Sequence, residues 1–167
     1  MNLDYVATFN EVISPQNCED LIAKFKKEDW EDNGVVNIIQ KEWEEKMLLG
    51  SIFAKAGEVY QEVKSLTYHW PEHYGFEEFK IMAVGENEGN VDVNEYGKAR
   101  RFLTMIMFLD GGEGGNHIFT DGGKDVLEVP RAAGKLLCYP SNWTFQYRSP
   151  GPVDSEKHVV ITYLHYL

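Results

Sequence analysis

The chain has 167 residues, with 27 acidic against 16 basic side chains and a formal net charge of −11. So acidic a surface repels phosphate backbones and anionic lipid, which argues against nucleic-acid and membrane partners. A hydrophobic content of 43% with 13% aromatics belongs to an ordered chain with enough apolar surface for one core.

No apolar run approaches the roughly 20 residues that cross a bilayer. Met1-Asn2-Leu3-Asp4 lacks the basic start and apolar stretch of a secretion signal, so a cytoplasmic location is expected. Cys18 and Cys138 fall within a predicted helix and a predicted strand and read as buried free thiols rather than a metal cluster.

Leu3–Phe9 alternates well enough for a strand. Ser14 then supplies an N-cap and Pro15 a first helical position. Cys18, Leu21, Ile22 and Phe25 follow at helical spacing, and the helix is expected to fray around Lys26–Asp29. Residues 30–40 read as a connection, extended at Val35–Ile39. A second helix is predicted from about Glu42 to Lys64, its stripe being Met47, Leu48, Ile52, Phe53, Ala56, Val59, Tyr60 and Val63. Pro71 forbids helix through His69-Trp70-Pro71-Glu72-His73, so His69 and His73 read as loop residues rather than a helical metal pair.

From Glu78 the pattern changes. Phe79–Val84, Phe102–Leu109, Val126–Val129, Lys135–Tyr139, Trp143–Tyr147 and His158–Tyr166 are strand-like, punctuated by glycine, asparagine and proline. Helices followed by short strands predict an α+β, mainly β domain. Lys98, Arg100 and Arg101 read as a hairpin shoulder. Gly111–Gly115 reads as a flexible turn, because no helix or lysine follows to complete a phosphate cradle. Asp92 with Glu95, and Asp121 with Asp125, are pairs that chance produces in so acidic a chain. Trp143, Phe145, Tyr147, Tyr163 and Tyr166 read as strand aromatics packing a core.

Several segments resemble the prolyl 4-hydroxylase branch of the iron(II)/2-oxoglutarate dioxygenases. Arg101–Asp110 is similar to that family's arginine-led strand, and Gly114-Gly115-Asn116-His117-Ile118-Phe119 to its Gly-Gly strand start. Leu127-Glu128-Val129-Pro130 with Gly134–Pro140 resembles its valine-proline, glycine, phenylalanine-proline strand pair. Pro152–His158 resembles the segment carrying its 2-oxoglutarate-binding lysine, and Ile13–Cys18 with Leu21 and Ile22 its first helix. The resemblance implies a double-stranded β-helix, a jelly-roll or cupin-like barrel, buttressed by two N-terminal helices. It implies one domain over residues 1–167, with the first strand and helices in 1–75 and the barrel core in 76–167.

That family holds iron(II) with two histidines and a carboxylate, and anchors 2-oxoglutarate on a basic residue. Carried over, the histidine-x-aspartate pair falls on Asn90-Val91-Asp92, so the metal carboxylate is Asp92 and the first histidine has become asparagine. The later histidine falls on Tyr147, and Lys157 stands at the cosubstrate-binding position. His117 is the candidate substitute ligand, although a lone histidine there reads first as a surface loop residue. Strand alternation turns His158 away from whatever Lys157 faces. His165 reads as a surface residue. Neutral amide and phenol groups hold ferrous iron far less well than imidazoles.

The expected function is therefore a dioxygenase-like, non-catalytic or altered member, binding a small dicarboxylate through Lys157 or a protein partner; no residue is assigned a catalytic role. The alternative is an active hydroxylase of prolyl or other C–H bonds, using Fe(II), 2-oxoglutarate and substitute ligands. A further alternative is a structural or assembly protein on the same scaffold, with no cofactor.

Overall fold

The computed structural model describes residues 1–27, 35–37, 44–66 and 69–167. In chain order these form a 3-10 turn (Leu3–Tyr5), β1 (Ala7–Phe9), α1 (Pro15–Lys27), β2 (Val35–Asn37), α2 (Glu45–Val63), β3 (Tyr74–Phe76), β4 (Lys80–Ala83) and β5 (Asn87–Asn90). A 3-10 turn (Tyr96–Lys98) leads to β6 (Arg101–Phe108), β7 (His117–Asp121), β8 (Lys124–Val129), β9 (Leu136–Pro140), β10 (Gln146–Ser149) and β11 (His158–Tyr166).

Two antiparallel sheets result among the described residues. The larger runs β1-β9-β6-β11-β4-β2, with β3 also paired to β11, and the smaller runs β5-β10-β7-β8. Alternation along the large sheet sorts its side chains into two layers. Leu103, Met105 and Met107 of β6, Leu136 and Cys138 of β9, and Val160 and Leu164 of β11 pack with Cys18, Leu21 and Phe25 of α1 and Leu49, Phe53 and Tyr60 of α2. The intervening Ile106, Phe108, Leu137, Tyr139 and Val159 pack instead with Phe119, Val129 and Tyr147 of the small sheet. The helices thus cover one face of the large sheet, and the other face forms the barrel interior.

The first helix begins as its sequence predicts, the Asn17 backbone N–H donating to Ser14 Oγ at 3.1 Å. Both cysteines are buried and free, and burial pushes the Cys18 thiol up to about 11. No described helix is long and apolar enough to cross a membrane.

Other expectations are corrected. Leu3–Tyr5 is a turn capped by Asn2, and only Ala7–Phe9 pairs as strand. The buried stripe of α2 is Leu49, Phe53, Ala56, Gly57 and Tyr60, while Met47, Leu48 and Val63 of the predicted stripe are exposed. The predicted start at Glu42 and the extended residues Ile38 and Ile39 lie outside the described residues. Trp143 is exposed ahead of β10, which runs Gln146–Ser149 rather than from Trp143, and Tyr166 is also exposed.

Gly111–Gly115 is a turn held in place. Gly112, Gly114 and Gly115 take positive φ. A Cβ on Gly114 would lie 2.5 Å from the Gly151 carbonyl oxygen. The buried Arg131 guanidinium braces this loop to the one before Lys157. It donates to the Gly114 carbonyl at 2.9 Å, to Asp110 Oδ1 at 2.8 Å, to the Glu156 carbonyl at 3.0 Å and to Ser155 Oγ at 3.1 Å.

Candidate functional site

Strand register assembles a row of hydroxyls on the interior face of the large sheet. Thr104 of β6 lies opposite Tyr139 of β9 on one side and Tyr163 of β11 on the other. From the small sheet, Tyr147 of β10 lies opposite Asn90 of β5. The chain leaving β5 then places Asp92, 5% exposed, between these groups.

Both carboxylate oxygens of Asp92 are occupied. Oδ2 accepts from the Tyr139 hydroxyl at 2.7 Å and Thr104 Oγ1 at 2.8 Å. Oδ1 accepts from Tyr147 at 3.2 Å and, longer, Tyr163 at 3.4 Å. Burial pushes the Asp92 carboxyl above its ordinary range, against the opposing pull of the Tyr139, Thr104 and Tyr147 hydroxyls. Burial first, and then the neighbouring carboxylate, drive the Tyr139, Tyr147 and Tyr163 phenols well above their usual value, so they remain protonated donors. Asn90 donates through Nδ2 to the Tyr147 oxygen at 3.2 Å, and its Oδ1 accepts from the Val91 N–H at 2.8 Å.

Arg101 closes one side of this cluster. It makes a two-pronged ion pair with Glu77 at 2.8 and 2.7 Å and donates to the Asp92 carbonyl at 3.1 Å. Its guanidinium carbon stands 3.7 Å from the centre of the Tyr163 ring. The sequence reading of Arg101 as a hairpin shoulder missed this role.

Beside the cluster opens a cavity of about 340 Å³, lined among others by Asn90, Arg101, His117, Tyr147, Lys157 and Tyr163. Lys157 is 4% exposed and donates to Ser149 Oγ at 3.0 Å, with Nζ 5.5 Å from the Phe108 ring centre. No carboxylate of the described residues lies within ion-pair distance of it. Burial, then the nearby Arg131 charge, lower its ammonium to about 8.

His117 is buried and corrects its reading as a surface loop residue. It opens β7 and stacks on Tyr147 with ring centroids 4.3 Å apart. Burial, and secondarily the Lys157 charge, push its imidazole down to about 3, and Nε2 has no hydrogen-bond partner. His158 faces the helix side, as alternation requires, with Nδ1 2.8 Å from Asp110 and its ring edge-on to Phe25. His165 is largely buried rather than on the surface, 3.8 Å from Glu77. His69 and His73 lie in the turns before β3. Asp121 and Asp125 are engaged separately, by the N-terminus and by Arg148.

The structure therefore brings Asn90, Asp92 and Tyr147 into one hydrogen-bonded cluster and places Lys157 and His117 in the cavity beside it. Sequence reasoning missed Thr104, Tyr139, Tyr163 and Ser149. Their signal is a polar residue at an inward-facing strand position, legible only once strand register is known.

This donor set does not fit a ferrous ion. Iron(II) at a facial site wants imidazoles and a free carboxylate oxygen. Here both Asp92 oxygens and Asn90 Oδ1 already accept hydrogen bonds, and Tyr147 keeps its proton. Among the described residues no three His, Cys, Asp or Glu side chains group so as to hold a metal. The Lys157–Ser149 end does fit a carboxylate: it presents a buried cation with donor hydrogens to spare.

No protein-family model matches the chain, and no curated protein matches it. Among solved structures, 98% of the chain aligns with 96% of a viral collagen prolyl hydroxylase from Paramecium Bursaria Chlorella virus-1, solved as a 2OG complex, with a TM-score of 0.73 and 15% identity. A Pseudomonas putida prolyl-4-hydroxylase aligns over 97% of this chain and 92% of its own, with a TM-score of 0.68 and 13% identity. A Trichoplax adhaerens prolyl hydroxylase, solved with a hypoxia inducible factor peptide fragment, aligns over 99% and 85%, with a TM-score of 0.63 and 11% identity. At such identities the likeness is one of fold. The chain has the prolyl hydroxylase-like 2-oxoglutarate oxygenase fold, an α+β, mainly β double-stranded β-helix buttressed by two N-terminal helices.

Proposed function

We propose that this chain is a non-catalytic member of the 2-oxoglutarate oxygenase fold, with its metal centre replaced by a hydrogen-bonded hydroxyl–carboxylate cluster and a small-acid pocket kept at Lys157. The reading is carried by Asp92: a metal carboxylate needs an oxygen free for the ion, and this one accepts from four hydroxyls. Asn90 and Tyr147, at the positions where the resemblance places histidines, are bonded to each other. Iron and its redox chemistry are absent from this function.

The second support is the lysine. A buried ammonium without a counter-charge is costly, and an acid entering the cavity supplies one. Binding then rests on charge-assisted contacts to Lys157 and Ser149 instead of chelation. Titration calorimetry with 2-oxoglutarate tests this, with manganese(II) added or a chelator present. The expected heats are equal in the two conditions and vanish in Lys157→Met. Metal-dependent binding accompanied by succinate release would overturn the proposal in favour of an active hydroxylase.

A further inference from the structure

In a chain of net charge −11, the cavity is lined by Lys80, Lys98, Arg101 and Lys157 and by no Asp or Glu among the described residues. Two of these cations are already matched: Arg101 by Glu77, and Lys98 by Glu95 at 3.3 Å. Neither Lys80 nor Lys157 makes an ion pair within 4 Å among the described residues; Lys80 feels only the longer-range pull of Glu77, which Arg101 already holds.

Register fixes their relation. Lys80 lies opposite Ile161, and Met82 opposite Val159. One further step along the same strand pair, the Val84 N–H donates to the Lys157 carbonyl at 2.8 Å. The two lysines therefore stand on one interior face, four residues apart along the β11 line, or about 13 Å at strand rise. Between them the wall is apolar: Met82 and Val159, with Ile106 alongside Ile161. The lining reads cation, hydrocarbon, cation.

We propose that the cavity takes an aliphatic α,ω-dicarboxylate without any metal, one carboxylate on Lys157 and Ser149 and the other on Lys80. This rests on the proposed function and adds the second anchor. In a metal-bearing site the ion would neutralise the acid's second end; here Lys80 does so. The 13 Å separates backbone stations, and the Lys80 stem carries its ammonium several ångströms from its own, so an acid of roughly four to six carbons, with an ammonium–carboxylate contact of about 2.8 Å at each end, is within reach of both lysines. The methylenes lie against Met82 and Val159, which disfavours compact polar dianions such as phosphate.

Calorimetry on the whole chain in the presence of chelator, with glutarate, pentanoate and inorganic phosphate as probes, tests the assignment. Glutarate is expected to bind at least tenfold more tightly than either pentanoate or phosphate. Lys80→Met should reduce glutarate to the pentanoate level while leaving pentanoate affinity within twofold, and Lys80→Arg should restore most of the difference. Lys157→Met should abolish both acids. Thermal melts of each variant confirm folding. An unchanged glutarate-to-pentanoate ratio in Lys80→Met, or phosphate binding as tight as glutarate, overturns the second anchor alone. If neither acid binds the unaltered chain, or Lys157→Met leaves both unaffected, the underlying acid-pocket reading fails.

Discussion

Replacing Asp92 by alanine separates a structural carboxylate from a metal ligand. A ligand carboxylate without its ion is a buried charge short of partners, and removing it is neutral or stabilising. Asp92 instead satisfies four hydroxyls. Tyr139, with no exposed surface, would lose its acceptor, at a cost of about 1–3 kcal/mol. Thr104 keeps Ser141 at 2.8 Å, and the Tyr147 hydroxyl, which accepts from Asn90 but donates to the carboxylate, borders the cavity, where water takes its hydrogen, so each forfeits about 1 kcal/mol. Asp92→Ala is therefore expected to destabilise by about 3–5 kcal/mol, a melting temperature roughly 10 °C lower for a chain of this size. Asp92→Asn, which keeps an acceptor oxygen and the shape, should cost about 1–2 kcal/mol. Urea unfolding followed by circular dichroism gives the free energies, and a double-mutant cycle with Tyr139→Phe should return a coupling of about 1–2 kcal/mol. An alanine variant as stable as the parent, or additive behaviour in the cycle, would refute the structural role.

Acid binding should depend on pH through Lys157. Its ammonium is held near 8 by burial and the Arg131 charge, against a raising effect of Asp110; His117 beside it, at about 3, stays neutral throughout. Only the protonated lysine attracts a carboxylate, so affinity measured by calorimetry should be flat from pH 6 to about 8 and fall by up to tenfold per unit above that. Proton uptake on binding should appear above pH 8 as buffer-dependent heats; affinity unchanged to pH 10 would contradict this. Arg131→Met removes a buried guanidinium from four close acceptors, the Asp110 carboxylate among them. It should cost about 3–5 kcal/mol in urea unfolding and weaken acid binding by loosening the loop that presents Lys157. Gly114→Ala, at φ +72° with the Gly151 oxygen in its way, should cost more than about 1 kcal/mol, read as a lower thermal midpoint.

How much of this was legible in the sequence follows from which signals are local. The Ser14–Pro15 cap, β6 and β11 announce themselves through short-range chemistry and alternation, and the structure has them close to where they were expected. The predicted α2 stripe shares Phe53, Ala56 and Tyr60 with the buried one and departs from it at Met47, Leu48 and Val63, because Leu48 and Leu49 are adjacent and periodicity alone does not choose between neighbouring faces. β5, Asn-Glu-Gly-Asn, has no strand propensity and exists because β10 pairs with it. The Thr104–Tyr139–Tyr163 row depends on the register of three strands far apart in the chain, information that residue type does not carry. Lys157 could be placed by resemblance, whereas Lys80 emerges only when β4 is laid against β11.

Anaerobic equilibrium dialysis against iron(II), comparing the native chain with an Asn90→His, Tyr147→His double variant, tests replacement of the metal centre most directly. The native chain is expected to retain no iron at micromolar metal, and the double variant to take it up measurably once two imidazoles flank Asp92. One equivalent of tightly held iron on the native chain, or no gain in a folded double variant, would contradict this.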